Sequence, residues 1–322
     1  MIGDALFIFL GLAVLLVGGD LLVRGAVGLA NAAQVPALLV SLTIIAFGTS
    51  APELVVSVAA VLEKQPGIAV GNIVGANIAN VLLVLGLPAL LYPMTADVPG
   101  LKRHGFVLII ATAVFAAVAY GMGGAGRATG AAFLAGVIAY VIFLGWMAKT
   151  SRARDPVIDE VAEYSDGGKT ALGPALAYLA AGLIGLPVGA DILVMHGSAL
   201  ATALGARPET IGLTVVALGT SLPELATVVA AAARKRSEVA IGNVIGSNIF
   251  NLFAVGGAAG LAGGFSFGAA TLRFELPLMI AASVALAAFV YLRRDISRLS
   301  GLAFLVLYVS FLGALFFGGF GR

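Results

Sequence analysis

Residues 105–122, 128–148 and 299–319 are three unbroken apolar stretches without a charged side chain, each near the roughly 20 residues a helix needs to cross bilayer hydrocarbon. Seven further runs, 5–33, 37–62, 68–92, 170–203, 209–233, 239–263 and 274–292, carry at most a few isolated charges. Strands of a membrane barrel would instead alternate in polarity over about ten residues. With 61% of residues hydrophobic and 11% charged, the chain lies outside the range of soluble domains. The expected fold is all-α and integral to the membrane, with ten transmembrane helices. Met1-Ile2-Gly3-Asp4 has no basic region and leads straight into the first run, which reads as a retained span and not a cleaved signal.

The basic residues orient this bundle. With both termini outside, the inner loops hold Lys102, Arg103, Lys149, Arg152, Arg154, Lys169, Arg234, Lys235, Arg236, Arg293, Arg294 and Arg298, two thirds of the 18 Lys and Arg. The positive-inside rule therefore places the chain in the cell (inner) membrane with its central loop, 149–169, in the cytoplasm. That loop is mixed in charge and reads as a linker between two halves, 1–148 and 170–322.

The halves are related. Gly48-Thr49-Ser50-Ala51-Pro52-Glu53 recurs 171 residues later as Gly219-Thr220-Ser221-Leu222-Pro223-Glu224. The same offset, without gaps, sets Asp20 on Asp191, Gly71-Asn72 on Gly242-Asn243, Gly75 on Gly246, Asn77-Ile78 on Asn248-Ile249 and Asn80 on Asn251. Five spans per half is an odd number, so the second half enters the membrane from the opposite side. Two inverted five-helix repeats are the mark of secondary transporters, whose site lies near the midplane between them.

A carboxylate in the middle of a span costs several kcal/mol, so Glu53 and Glu224 need a reason to be there. Both follow a proline. Pro52 and Pro223 offer no N–H to the carbonyls of Gly48 and Gly219, which predicts kinked helices with carbonyl oxygen exposed beside each glutamate. Thr49, Ser50, Thr220 and Ser221 add hydroxyls within a turn. Ala76 and Asn80, and likewise Ser247 and Asn251, lie four residues apart on one helix face, so the amide oxygens of Asn80 and Asn251 can join as neutral donors. Hard oxygen donors suit Ca2+ or Na+. With no cysteine and only His104 and His196, disulfides, thiolate chemistry and a zinc site are excluded or disfavoured.

At these residues the chain resembles the Ca2+/cation antiporter superfamily, in particular its prokaryotic sodium/calcium exchanger branch, with two copies of GTSxPE each followed by GNxxGxNIxN. The resemblance implies four cation sites ligated from the second, third, seventh and eighth spans. Carried over by position, Glu53 and Glu224 become the acidic ligands, Asn80 and Asn251 the amide ligands, and Thr49, Ser50, Thr220, Ser221 and Ser247 the hydroxyl or carbonyl donors. The backbone carbonyls of Ala46 and Ala217 complete the outer sodium sites. Where the branch carries an aspartate this chain has Asn251, and where it carries a serine it has Ala76, leaving a site of charge −2 that balances one Ca2+.

The function expected is Ca2+ exchange against Na+ by alternating access, with H+/Ca2+ exchange as the alternative. An intramembrane hydrolase and a passive channel are remote readings, and the protein is not expected to be an enzyme. Its expected partners are Ca2+, Na+ or H+ and the lipid bilayer, with no resident cofactor, nucleic acid or obligatory protein partner. Gly71, Gly75, Gly242 and Gly246 are expected to admit a neighbouring helix closely. Asn72, Asn77, Asn243 and Asn248 are assigned to packing, Asp20 to a local pair with Arg24, and His104 and His196 to no particular role. Gly121 to Gly126 spells GxGxxG, but without a preceding strand it is not a nucleotide site.

Overall fold

The computed structural model describes residues 2–151, 172–203 and 219–317. It is a bundle of helices, because in hydrocarbon a backbone can satisfy its own polar groups only as a helix or a closed barrel. In chain order these are α1 (Ile2–Ala33), α2 (Ala37–Thr49), α3 (Ala51–Leu62), α4 (Pro66–Leu91), α5 (Leu101–Met122), α6 (Arg127–Ser151), α7 (Leu172–Ala203), α8 (Leu222–Ala233), α9 (Ser237–Ala262), α10 (Thr271–Tyr291) and α11 (Arg298–Phe317). Among the described residues eight helices are long and apolar enough to cross a membrane, and α2 with α3, bent by 42° at their junction, bring the number to nine when the pair is counted as one span. Helix α8 lies inside the expected seventh run, whose first part, 209–218, is outside the described residues, as is most of the central loop.

Burial sorts these helices into a core and a shell. In α9, 94% of the span is buried and in α4 78%, against 33% in α1 and 28% in α7. The motif-bearing helices thus sit at the centre, and α1 and α7 lie outside against each other. Their seam is built on glycines: a methyl at Gly11 would lie 3.0 Å from the Gly189 carbonyl oxygen, and one at Gly189 would lie 3.1 Å from that of Gly11. Small residues allow such backbone approach, which the sequence reading did not single out on these helices. The expected small-residue contacts are present on α9, where a Cβ on Gly246 would come within 2.7 Å of the Ala46 Cβ, and one on Gly242 within 2.7 Å of Leu38. Gly71 and Gly75 meet no described atom, and the segment equivalent to their neighbour, 209–217, lies outside the described residues.

Short connections tie the ends. Helix α5 starts after Gly100 (φ 82°) and stops at Gly123 (φ 68°), left-handed positions that suit a residue without Cβ. Next to it β1 (Gly124–Ala125) pairs antiparallel with β2 (Phe265–Ser266), pinning the α5–α6 turn to the one between α9 and α10. At the other end Met94 bridges Ile296.

Asp20 on α1 accepts from Arg24 Nε at 2.8 Å, the local pair expected, and also from Arg234 Nε at the end of α8, at 2.6 Å. The second partner lies 214 residues away and turns a local contact into a tie between helices. All three side chains are 35–52% exposed, so the tie adds only about 1 kcal/mol or less. Asp20→Asn is expected to lower the melting temperature in detergent by a few degrees while cation exchange persists; lost exchange at unchanged stability would contradict this structural role. His196, by contrast with the expectation for it, has partners: it meets Asp4 at 3.1 Å and stacks on Phe7 with ring centroids 4.3 Å apart, joining α7 to α1. His104 is buried against the Tyr140 hydroxyl at 3.2 Å.

Candidate cation site

The two proline motifs fold alike. Ser50 (φ −85°, ψ 5°) breaks the helix between α2 and α3, and Ser221 (φ −87°, ψ 1°) precedes α8 in the same conformation. Each proline falls in the first turn of the new helix, where its missing N–H costs nothing. Glu53 and Glu224 stand in those first turns, so the positive ends of two helix dipoles point at the carboxylates. The expected kink is therefore present between α2 and α3, with the break at the serine two residues before the proline, while the run leading to Ser221 lies outside the described residues up to 218.

The partner helices share a second irregularity. Helix α4 widens into a π turn over Asn80–Leu85, and α9 does so over Asn251–Val255. Each π turn begins at a candidate amide ligand. Such turns collect at functional sites because the extra residue re-aims side chains and loosens the carbonyl ladder. A further π turn, Ser41–Ile45, lies in α2 just before the motif. No propensity in the sequence marks them.

At the centre Glu53 is 1% exposed and Glu224 0%, within electrostatic reach of each other. The hydroxyls serving each come from the opposite half: Thr49 and Ser50 face Glu224, and Thr220 faces Glu53. Ser50 Oγ donates to Glu224 Oε1 at 3.2 Å. Both oxygens of Glu53 and Oε2 of Glu224 make no hydrogen bond of ordinary geometry among the described residues, and neither do Ser247 Oγ, Asn80 Oδ1 and either amide atom of Asn251. Buried polar atoms are nearly always paired, so this concentration in one place marks a site shaped for something that accepts oxygen donors. A cation does that.

The other expected donors fall out as follows. Ser221 is buried beside the site at the start of α8. The Ala46 carbonyl is already engaged, accepting from Ser50 N–H at 3.1 Å and Thr49 Oγ1 at 3.4 Å. Ala217 lies outside the described residues. The packing asparagines behave unequally. Asn72 donates to the Glu53 carbonyl at 3.0 Å and to Ser57 Oγ at 2.9 Å, binding α4 to α3 as expected, and Asn77 caps the Ile73 carbonyl at 2.7 Å. Asn248 accepts from Asn80 Nδ2 at 3.0 Å and donates to the Asn77 carbonyl, which puts it in direct contact with a candidate ligand. Helical spacing alone does not show this contact, because it crosses from α4 to α9. No third carboxylate or histidine joins Glu53 and Glu224 among the described residues.

A buried pair of carboxylates framed by neutral oxygen donors, carried on broken and π-distorted helices of a multi-pass bundle, defines a membrane cation-binding protein. The sodium/calcium exchanger family model matches residues 4–146 and 174–317, and the chain belongs to that family, in the prokaryotic branch of the Ca2+/cation antiporters. It is 34% identical to the sodium/calcium exchanger MaX1 of Methanosarcina acetivorans over 97% of this chain and 98% of the relative. It is 35% identical to the inner membrane protein YrbG of Escherichia coli over 81% of this chain and 80% of the relative. Solved structures of the sodium-calcium exchanger NCX_Mj superpose with a TM-score of 0.83 at 31% identity, covering 98% of this chain and 99% of that one.

Proposed function

We propose that this protein exchanges Ca2+ for Na+ across the membrane by alternating access at the Glu53–Glu224 site. The carrying observation is the pair of fully buried carboxylates, three of whose four oxygens make no hydrogen bond of ordinary geometry among the described residues and whose hydroxyl neighbours come from the opposite half. Glu53, Glu224, Asn80, Asn251 and Ser247 supply the oxygen donors, with Thr49, Ser50, Thr220 and Ser221 around the carboxylates, and the carbonyls of Ala217 and of Ala46, the latter once it gives up its bonds to Ser50 N–H and Thr49 Oγ1, serve the outer monovalent positions. Two carboxylates make a site of charge −2, which one Ca2+ or two monovalent cations neutralise. An occluded charge left uncompensated is costly in a medium of low dielectric, so the loaded states are the ones able to cross between the two facings. On this reading the exchange is electroneutral.

Ten spans in two inverted five-helix repeats, 1–148 and 170–322 joined by a cytoplasmic linker at 149–169, with both termini outside the cell membrane, accommodate this cycle. The breaks at Ser50 and Ser221 and the π turns at Asn80 and Asn251, all paired at the same offset, support that arrangement. The protein acts as a transporter and not as an enzyme, and needs no resident cofactor; Ca2+ is its cargo.

In proteoliposomes an imposed Na+ gradient is expected to drive uptake of radioactive Ca2+ with the pH gradient collapsed. Uptake that follows the pH gradient and ignores Na+ would replace Na+ by H+ as the counter-ion, with the two glutamates carrying the protons.

A further inference from the structure

Three polar contacts at the site have counterparts at the 171-residue offset, and in each pair one contact is made and the other is open. Asn72 bonds Ser57 and the Glu53 carbonyl, whereas both amide atoms of Asn243 lack partners among the described residues. Half of that difference is written in the sequence, since Val228 takes the place of Ser57 in the second half, although a main-chain carbonyl stands at Glu224 as at Glu53. The other two differences are not. Ser50 donates to Glu224, yet Glu53 receives no bond from Ser221. Asn80 Nδ2 donates to Asn248 Oδ1 at 3.0 Å, whereas Asn251 Nδ2, Asn251 Oδ1 and Asn77 Oδ1, which would form the equivalent bond, have no partners among the described residues. All four asparagines are at most 1% exposed. Identical side chains at equivalent places therefore stand in different bonding states, and the cause is conformational and not chemical.

The donor inventory gives the made bond a purpose. An asparagine amide that gives a proton to a neighbour has its plane fixed and its oxygen turned the other way. Asn80 Oδ1 is that oxygen, and it has no partner among the described residues. In the other half no hydrogen bond from the described residues fixes the plane of Asn251. Inverted repeats open one shared site alternately to the two sides, so the contact open in one half is the counterpart, for the opposite facing, of the contact made in the other.

We infer that Asn248 and Asn77 are the positioning residues of the two amide ligands and act in alternation: Asn248 aims the Asn80 oxygen at the cation in the facing seen here, and Asn77 aims that of Asn251 in the opposite one. This rests on the exchange proposed above. Each ligand then has its full strength on one side of the membrane, and the open pair is a store of unsatisfied hydrogen bonding that the transition to the other facing relieves.

The test is Ca2+ exchange measured separately at the two membrane faces, in right-side-out and inside-out vesicles, for Asn248→Ala and Asn77→Ala. Each variant is expected to weaken apparent Ca2+ affinity about tenfold at one face and little at the other, with the affected face opposite for the two. Equal loss at both faces, or loss at the same face for both, would overturn the inference. A double-mutant cycle guards against a mere folding defect: if Asn248 acts through Asn80, then Asn80→Ala with Asn248→Ala is no worse than Asn80→Ala alone, while additive losses reject the coupling. Wild-type protein without any cation-linked Ca2+ flux would overturn the exchange itself and this inference with it; normal wild-type exchange with additive losses overturns the inference alone.

Discussion

Glu53→Gln and Glu224→Gln are each expected to reduce Ca2+ exchange by at least about a hundredfold while leaving the folded protein intact. Glutamine keeps the shape and one oxygen of the side chain but removes one of the two negative charges at the site. A bound Ca2+ would then carry one uncompensated charge among residues that are 0–3% exposed, and breaking a buried charge pair in this way costs about 3–5 kcal/mol. The same substitution relieves the repulsion between two buried carboxylates when no cation is bound. Thermal unfolding in detergent without Ca2+ should therefore be unchanged or raised, while the stabilisation that Ca2+ gives the wild type should largely vanish. The two signs together separate loss of a ligand from loss of the fold. A glutamine variant that exchanged Ca2+ at the wild-type rate would end the assignment of the site.

Asn251→Asp is expected to convert an electroneutral exchange into an electrogenic one. Asn251 opens the π turn of α9, is fully buried and has neither amide atom partnered among the described residues, so an aspartate of the same shape fits where it stands. With three carboxylates, three monovalent cations neutralise the site but one Ca2+ leaves it at −1, so the uncompensated charge slows the Ca2+-loaded transition and each completed cycle moves one net charge across the membrane. One charge against the membrane potential is worth about 2.3 kcal/mol per 100 mV, so the Ca2+ accumulation ratio should change about tenfold for every 60 mV. Setting the potential with a K+ gradient and valinomycin reads this directly: a flat response in the wild type and a steep one in the variant. A steep response already present in the wild type would show that a charge beyond Glu53 and Glu224 takes part.

Much of this was legible in the chain because a bilayer allows few solutions. Uncharged runs long enough to span had to be helices, and each described run is one. The carboxylates stood out because an ionised group at that depth is costly, and the pairing at a constant offset tied Glu53 to Glu224 and Asn80 to Asn251 before any coordinate was known. The prolines foretold the break in the second span, although the bend falls at Ser50, where the new helix needs a residue outside helical geometry before its first turn.

Other features left no mark that periodicity could read. The π turns starting at Asn80 and Asn251 depend on how α4 and α9 pack, not on a residue preference. The glycine seam between α1 and α7 is a property of two surfaces distant in sequence, with Gly11 and Gly189 lying 178 residues apart, and its glycines look ordinary on either helix alone. Asp20 was assigned to Arg24 because helical spacing shows only neighbours one turn away, and Arg234 reaches it from α8.

By itself the sequence determined the class of fold, the membrane as its solvent, the two carboxylates and their neutral companions, since each follows from a local cost that must be met wherever the residue ends up. Only the tertiary structure decided who serves whom: the hydroxyls of one half face the carboxylate of the other, Asn248 holds Asn80 across the core, and the matching pair of Asn251 and Asn77 is open. Those are relations between helices brought together by packing, and two halves with the same residues can take different bonding states only once they are placed against each other in one particular conformation.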